Sequence, residues 1–204
     1  FTAIPVWQQQ AQLEAAAQAI RDGKAGSIRL STRPDCVDPE TLERLYRSGV
    51  QTVELGAQSM NPAVLRLSGR GHTPADTARA AALVKAAGLD LILQMMTGLP
   101  GDTAASSLET ARQLAALKPG GVRIYPTVVI RNTPLFDLWR AGAYKAWTVE
   151  ETAALCADLL DLFEAAAIPV IRLGLNPTAA LSAGDAAAGP YHPAFGEIVY
   201  GLRY

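Results

Sequence analysis

The chain has 204 residues, of which half are hydrophobic and 18% charged, and its 18 basic and 19 acidic side chains leave a net charge of −1. This is an ordinary soluble composition with room for one sizeable core. It provides no overall electrostatic footprint for nucleic acid, although local clustering can still create one. No apolar run reaches the roughly 18 residues needed to span a membrane. Arginine outnumbers lysine 14 to 4, which suits forked recognition of carboxylate and phosphate and follows equally from a high-GC genome. The two cysteines, Cys36 and Cys156, have no spaced partners. That excludes a disulfide framework and a local metal motif, and it fits a reducing cytoplasm.

Phe1 to Pro5 leads straight into a polar helix, with neither a start Met nor a signal peptide, so the chain is expected to begin inside a longer protein. A helix over 8–22 ends at Gly23, and 27–31 (SIRLS) reads as a strand. Asp38-Pro39 starts a helix that runs to about Ser48, and 52–56 (TVELG) is the next strand. Asn61-Pro62 starts a helix ending at Gly69, and Thr73-Pro74, with Asp76 at the box position, starts another ending at Gly88. A strand over 89–96, a helix over 103–117 and a strand over 122–126 follow. Thr133-Pro134 opens a short helix, and Thr148 with Glu151 opens a long one reaching about Ala167. Residues 170–173 form the last strand, and the Ala/Gly/Pro-rich stretch from Asn176 reads as a loose tail.

Five strands separated by helices predict an α/β fold of parallel βα units with right-handed crossovers. Strands covered on both faces are nearly continuous apolar runs, but these alternate. Ile28 and Leu30 interleave with Arg29, Val53 and Leu55 with Glu54, Val122 and Ile124 with Arg123, and Ile171 and Leu173 with Arg172. One sheet face is therefore apolar and meets the helices. The other carries Arg29, Glu54, Arg123 and Arg172. Unpaired charge is not buried cheaply, so the polar face should be a solvated or ligand-filled concavity knitted by Arg–Glu pairs. That argues against a closed, hydrocarbon-filled barrel and for a partial parallel (β/α) barrel of about five strands.

Four segments fall at the C-terminal ends of strands, where parallel folds place their sites: STRPD (31–35), ELGAQSM (54–60), LSGRGHT (67–73) and QMMTGLPGDT (94–103). In order and spacing they resemble radical S-adenosylmethionine (SAM) enzymes related to the Elongator catalytic subunit and, more distantly, to oxygen-independent coproporphyrinogen oxidase. IYPTVVIRNTPL (124–135) and GPYHPAFGEIV (189–199) resemble the bacterial branch without an acetyltransferase domain. The resemblance implies a radical SAM partial barrel over 1–175, N-terminally truncated, with 176–204 as a tail packing on it. It also implies SAM and a [4Fe–4S] cluster as cofactors, the latter held by three cysteines of a CxxxCxxC loop. That loop is absent, so the cluster ligands are expected outside this chain, and no residue in it is assigned to metal. The chain alone is expected to be inactive. The parent would be an enzyme with an electron donor, acting on tRNA wobble uridine or a small metabolite. The other reading is a degenerate, non-catalytic nucleoside-binding barrel.

By the same resemblance, Gln58 lies at the methionine part of the cofactor, and Arg70 pairs with its carboxylate through the guanidinium fork. Ser31 takes the place near the amino group, and Gln94 the place at the ribose. Gly98 permits close approach to adenine, and Tyr125 flanks it. Gln58, Arg70, Gln94, Gly98 and Tyr125 each have a plain structural alternative: a loop Gln, a hinge Arg, a buried Gln, a turn Gly and a core Tyr. Arg33 and Asp35 read as a turn-locking pair, and His72 as a capping or loop residue.

Overall fold

The computed structural model describes residues 1–176 and 184–203. In chain order the elements are α1 (Val6–Arg21), β1 (Ile28–Thr32), a 3-10 turn (Pro34–Cys36), α2 (Pro39–Arg47), β2 (Val50–Gln58), α3 (Pro62–Leu67), α4 (Pro74–Ala86), β3 (Asp90–Thr97), α5 (Ala104–Ala116) and β4 (Gly121–Pro126). They continue with β5 (Val129–Ile130), α6 (Pro134–Arg140), α7 (Val149–Ala165), β6 (Val170–Leu173), β7 (Ala186–Ala188) and α8 (Phe195–Gly201). The main sheet is parallel throughout, in the order β1-β2-β3-β4-β6. Its five strands stand in chain order, as the βα pattern predicts.

Short polar side chains set the helix starts. The Asp38 carboxylate accepts the Thr41 N–H at the start of α2, and Asn61 accepts the N–H groups of Ala63 and Val64 at α3. Thr73, Thr103 and Thr148 close capping boxes with Asp76, Ser106 and Glu151. Each satisfies backbone donors that the first helical turn leaves open. In a parallel βα unit the helix starts where the strand has just ended, so these caps gather at the site end of the sheet.

The alternation expected of β1, β2 and β4 holds, whereas β3 carries the apolar Ile92 on the polar-lined face. Ile28, Leu30, Val53, Leu55, Leu91, Leu93, Val122 and Ile124 are buried, and they form one core with Leu42, Leu45, Leu114, Leu159 and Phe163 from the helices. The register aligns Ser31 with Glu54, Ile92 and Gly121 on the opposite face. The next layer up is Gly56, Gln94, Arg123 and Arg172. β6 departs from the expected pattern. Its register shifts at Val122/Arg123, and Ile171, expected on the apolar face, is exposed. Its Cγ2 would lie 3.1 Å from a Cβ on Gly121, beside Ile92 on the polar-lined face. The bulge supplies the reason, because one extra residue breaks a period of two.

Of the tail expected over 176–204, residues 177–183 and 204 lie outside the described residues. In the described part, β7 pairs antiparallel with β5, and α8 buries Phe195 and Val199 in the same core as α7. Among the described residues, no helix is long and apolar enough to cross a membrane.

Candidate functional site

At the end of β2 the chain makes an uncommon turn. Gln58 has φ +63, a region that glutamine seldom visits. The Ser59 N–H donates back to the Ala57 carbonyl across three residues (2.8 Å). A three-residue turn with positive φ is the rare, strained kind of γ-turn, and strain of this kind persists only where surroundings over-determine it. Here they do. Met60 N–H donates to Thr110 Oγ1 (3.0 Å), and Asn61 N–H to Ser59 Oγ (3.1 Å). The imidazole of His72 meets the same Ala57 carbonyl through Nε2 at 3.0 Å.

The turn aims the Gln58 amide along the polar face. Gln94 Nε2 donates to Gln58 Oε1 (3.1 Å). Gly56 leaves room for the Gln58 amide and the Arg70 guanidinium, since a Cβ there would stand 2.9 Å from Gln58 Nε2 and 3.5 Å from Arg70 Nη2. Arg70 reaches in from the loop between α3 and α4, and its Nη2 donates to the Gly56 carbonyl at 3.4 Å. Burial, then the nearby Arg33 charge, pulls the Arg70 guanidinium below its ordinary value. Guanidinium nonetheless keeps its proton in proteins, so this is a charge held at a cost. Asp35, the acid on the neighbouring loop, is engaged by Arg33 through a fork (Nε–Oδ1 3.0 Å, Nη2–Oδ2 2.6 Å). That is the turn-locking pair expected there, and it leaves Arg70 without a carboxylate partner among the described residues.

One layer down, Arg123 crosses β3 to Glu54, which is buried. Its Nε lies 3.0 Å from Glu54 Oε2 but off the N–H axis, so the contact is an ion pair and not an aligned hydrogen bond. Arg123 Nη1 also donates to the Tyr125 hydroxyl (3.0 Å).

The turn after β3 is clamped from the helix side. Gly98 and Gly101 adopt φ +73 and +78, conformations open to glycine. The Asp102 carboxylate accepts Gly98 N–H (3.0 Å) and Ser107 Oγ–H (2.7 Å), and it also bonds the Ser106 hydroxyl. The Trp147 ring lies against Gly98, and the Tyr144 hydroxyl donates to its carbonyl (2.6 Å). Burial, with Asp102 nearby, pushes the Tyr144 hydroxyl up to about 12 from its ordinary 10.0. A raised phenol pKa means that the fold prefers the neutral form. Its stabilising contribution is therefore complete below pH 10 and is lost as pH rises through about 12. Tyr144→Phe should flatten that alkaline loss of stability in pH-dependent urea denaturation. An unchanged alkaline limb would show that Tyr144 does not set it.

The structure thus brings Gln58, Gln94 and Arg70 into one cluster, with Tyr125 on the adjoining Arg123–Glu54 chain. Ser31 and Gly98 are placed apart from them. Ser31 is exposed on β1, a layer below Gln94, and Gly98 is wrapped by Trp147 and Tyr144. His72, read as a capping or loop residue, does lie in the loop after α3, where it is buried and ties that loop to the β2 turn. His192 stays local, accepting Ala194 N–H at Nδ1 (3.1 Å). Sequence reasoning also missed Thr110, Asp102, Tyr144 and Trp147. Of these only Asp102, directly after the Gly98-Leu99-Pro100-Gly101 turn and ahead of Thr103, carried a recognisable signal.

Residues 8–114, more than half of the chain, match the radical SAM superfamily. The chain belongs to that superfamily. Residues 119–201 match the radical SAM C-terminal domain, so the radical SAM sheet takes strands from both matched stretches. A tRNA uridine(34) acetyltransferase of Methanocaldococcus jannaschii is 34% identical over 128 residues, 61% of this chain and 24% of that protein. Human Elongator complex protein 3 is 32% identical over 142 residues, 68% of this chain and 26% of that one. The chain therefore spans about a quarter of the length of these relatives. Among solved structures, an N-terminally deleted Elp3 from Methanocaldococcus infernus superposes with a TM-score of 0.75 at 27% identity, over 86% of this chain and 41% of that one. Coproporphyrinogen III oxidase from Escherichia coli, described as a radical SAM enzyme, gives a TM-score of 0.60 at 17% identity, over 76% of this chain and 37% of that one. This second likeness shows the fold.

The residues present do not fit a [4Fe–4S] cluster. Cys36 ends the 3-10 turn after β1, while Cys156 is buried in α7, where burial pushes its thiol up to about 12. Among the described residues, no three His, Cys, Asp or Glu gather where they could hold a metal.

Proposed function

We propose that this radical SAM domain binds S-adenosylmethionine along its polar face as part of an enzyme whose cluster ligands lie outside these residues. The observation that carries the reading is Arg70, a half-buried cation with no carboxylate partner among the described residues, beside the linked amides of Gln58 and Gln94. A guanidinium at such a place suits a carboxylate ligand. The two amides present donors and acceptors to the amino-acid part and to ribose hydroxyls. Ser31, Gly98 and Tyr125 would meet the amino group and the two sides of the adenine. With a [4Fe–4S] cluster held by ligands outside these residues, the bound SAM would supply radical chemistry. The chain's own share is to bind and orient the cofactor.

The name of the archaeal relative, a tRNA uridine(34) acetyltransferase, supports tRNA wobble uridine as the substrate, with an electron donor as partner, in the cytoplasm. On this reading residues 1–175 form the barrel and 176–204 pack over it. Iron analysis, colour after anaerobic reconstitution and chromatography of 5′-deoxyadenosine test the proposal on two proteins. One is the product of the complete open reading frame, and the other is residues 1–204 alone. Iron, a brown colour and product are expected from the first and not from the second. A colourless, inactive product of the full frame would overturn the proposal in favour of a nucleoside-binding module.

A further inference from the structure

The γ-turn at Gln58 needs an anchor, and His72 is placed to be one. We propose that His72 is a positioning residue whose neutral Nε2–H tautomer pins the Ala57 carbonyl and so holds Gln58 in its cofactor-facing conformation. The proposal rests on the reading of Gln58 as a cofactor contact and adds the device that holds it there.

A carbonyl oxygen only accepts, so the 3.0 Å contact with Ala57 requires a proton on Nε2. The other nitrogen, Nδ1, is buried without a hydrogen-bond partner among the described residues. In the neutral ring Nδ1 is then a bare lone pair. In the imidazolium it would be a buried donor with nothing to receive it, which is the more expensive state. Geometry and charge agree on the neutral ring. Burial first, and the Arg70 and Arg33 cations after it, hold the imidazole below its usual pKa against the opposing effects of Ala57 and Asp35. The Ala57 carbonyl also takes the Ser59 N–H that closes the turn. One oxygen thus receives both the bond that makes the strained turn and the side chain that fixes it. His72 itself is fixed by its neighbours. The adjacent Gly71 lies against the Arg33 guanidinium, a Cβ there falling 2.6 Å from Nη2, so the Arg33–Asp35 fork backs the loop that carries the histidine.

The test compares His72→Leu, which removes the donor, with His72→Gln, whose amide can donate from about the place of Nε2. Three measurements apply to the complete protein: hydrogen exchange at the Ser59 amide, calorimetric SAM affinity and nitrogen-15 NMR of the imidazole. The His72 ring signals are identified as those missing from His72→Leu. In the wild type, Nε2 should be protonated and Nδ1 bare, and the ring should take its second proton only below the usual imidazole range. His72→Leu should raise Ser59 exchange and weaken SAM binding about ten-fold, the size of one lost hydrogen bond. His72→Gln should restore most of both. A wild-type ring with bare Nε2 would overturn the proposal, whether or not the leucine variant folds. Unchanged Ser59 exchange in a folded His72→Leu would overturn it too. If exchange rises while SAM affinity stays constant in both His72→Leu and Gln58→Ala, the fault lies with Gln58 as a cofactor contact, and the pin then serves the turn alone.

Discussion

Arg70→Ala is expected to weaken S-adenosylmethionine binding by about ten- to a hundred-fold, the loss of roughly 1.5–3 kcal/mol for a hydrogen bond to a charged group. The argument starts from the loop between α3 and α4. Gly69 adopts φ +65, which turns the chain back toward the sheet and sends Arg70 inward over Gly56. There the guanidinium has one long contact with a carbonyl and no acid partner among the described residues. Removing it relieves burial of a charge, so fold stability should hold or rise slightly. Loss of affinity without loss of stability is the signature of a binding residue. Arg70→Lys should fall between, because it keeps the charge and loses the fork. Calorimetry alongside urea denaturation makes the comparison. Equal affinity in all three proteins would reduce Arg70 to a hinge residue.

The features legible in the sequence are those whose cause is local. Asp38-Pro39, Asn61-Pro62 and Thr73-Pro74 carry their helix starts within four residues, so the starts can be read from composition alone. The polar face is legible because a period of two persists over β1, β2 and β4, and the resemblance singled out Gln58 and Gln94 at strand ends. What escaped reading has a partner far along the chain. His72 bonds a backbone carbonyl, and carbonyls have no sequence signature. Tyr144 and Trp147 close on Gly98 from the connector before α7. The left-handed turn at Gln58 is hidden for a related reason. Glycine or asparagine would announce such a turn, whereas here tertiary bonds impose it on glutamine. Ile171 was misplaced because a four-residue strand with one bulge is too short for alternation to set its face.

Glu54→Ala is expected to cost about 3–5 kcal/mol of stability, the usual penalty for leaving one half of a buried ion pair. Glu54 is 3% exposed, and Arg123 is its cationic partner. After the substitution the guanidinium keeps its charge and its bond to the Tyr125 hydroxyl, and a neutral phenol does not replace a carboxylate. The pair as a whole need not be strongly stabilising, because desolvating two ions offsets much of their attraction. The double change Glu54→Leu with Arg123→Met should therefore recover most of the loss, even though it removes more native interactions than the single one. Urea denaturation of the three proteins measures this. A cost below about 1 kcal/mol for Glu54→Ala would place the pair among solvated surface bridges. The double variant also separates stability from function. Arg123 stands beside Gln94 in the sheet register, and removing the pair takes away the charges that keep this face hydrated. A stable double variant with weakened SAM binding would mean that the pair is retained to shape the polar cleft, and that stability is not what maintains it.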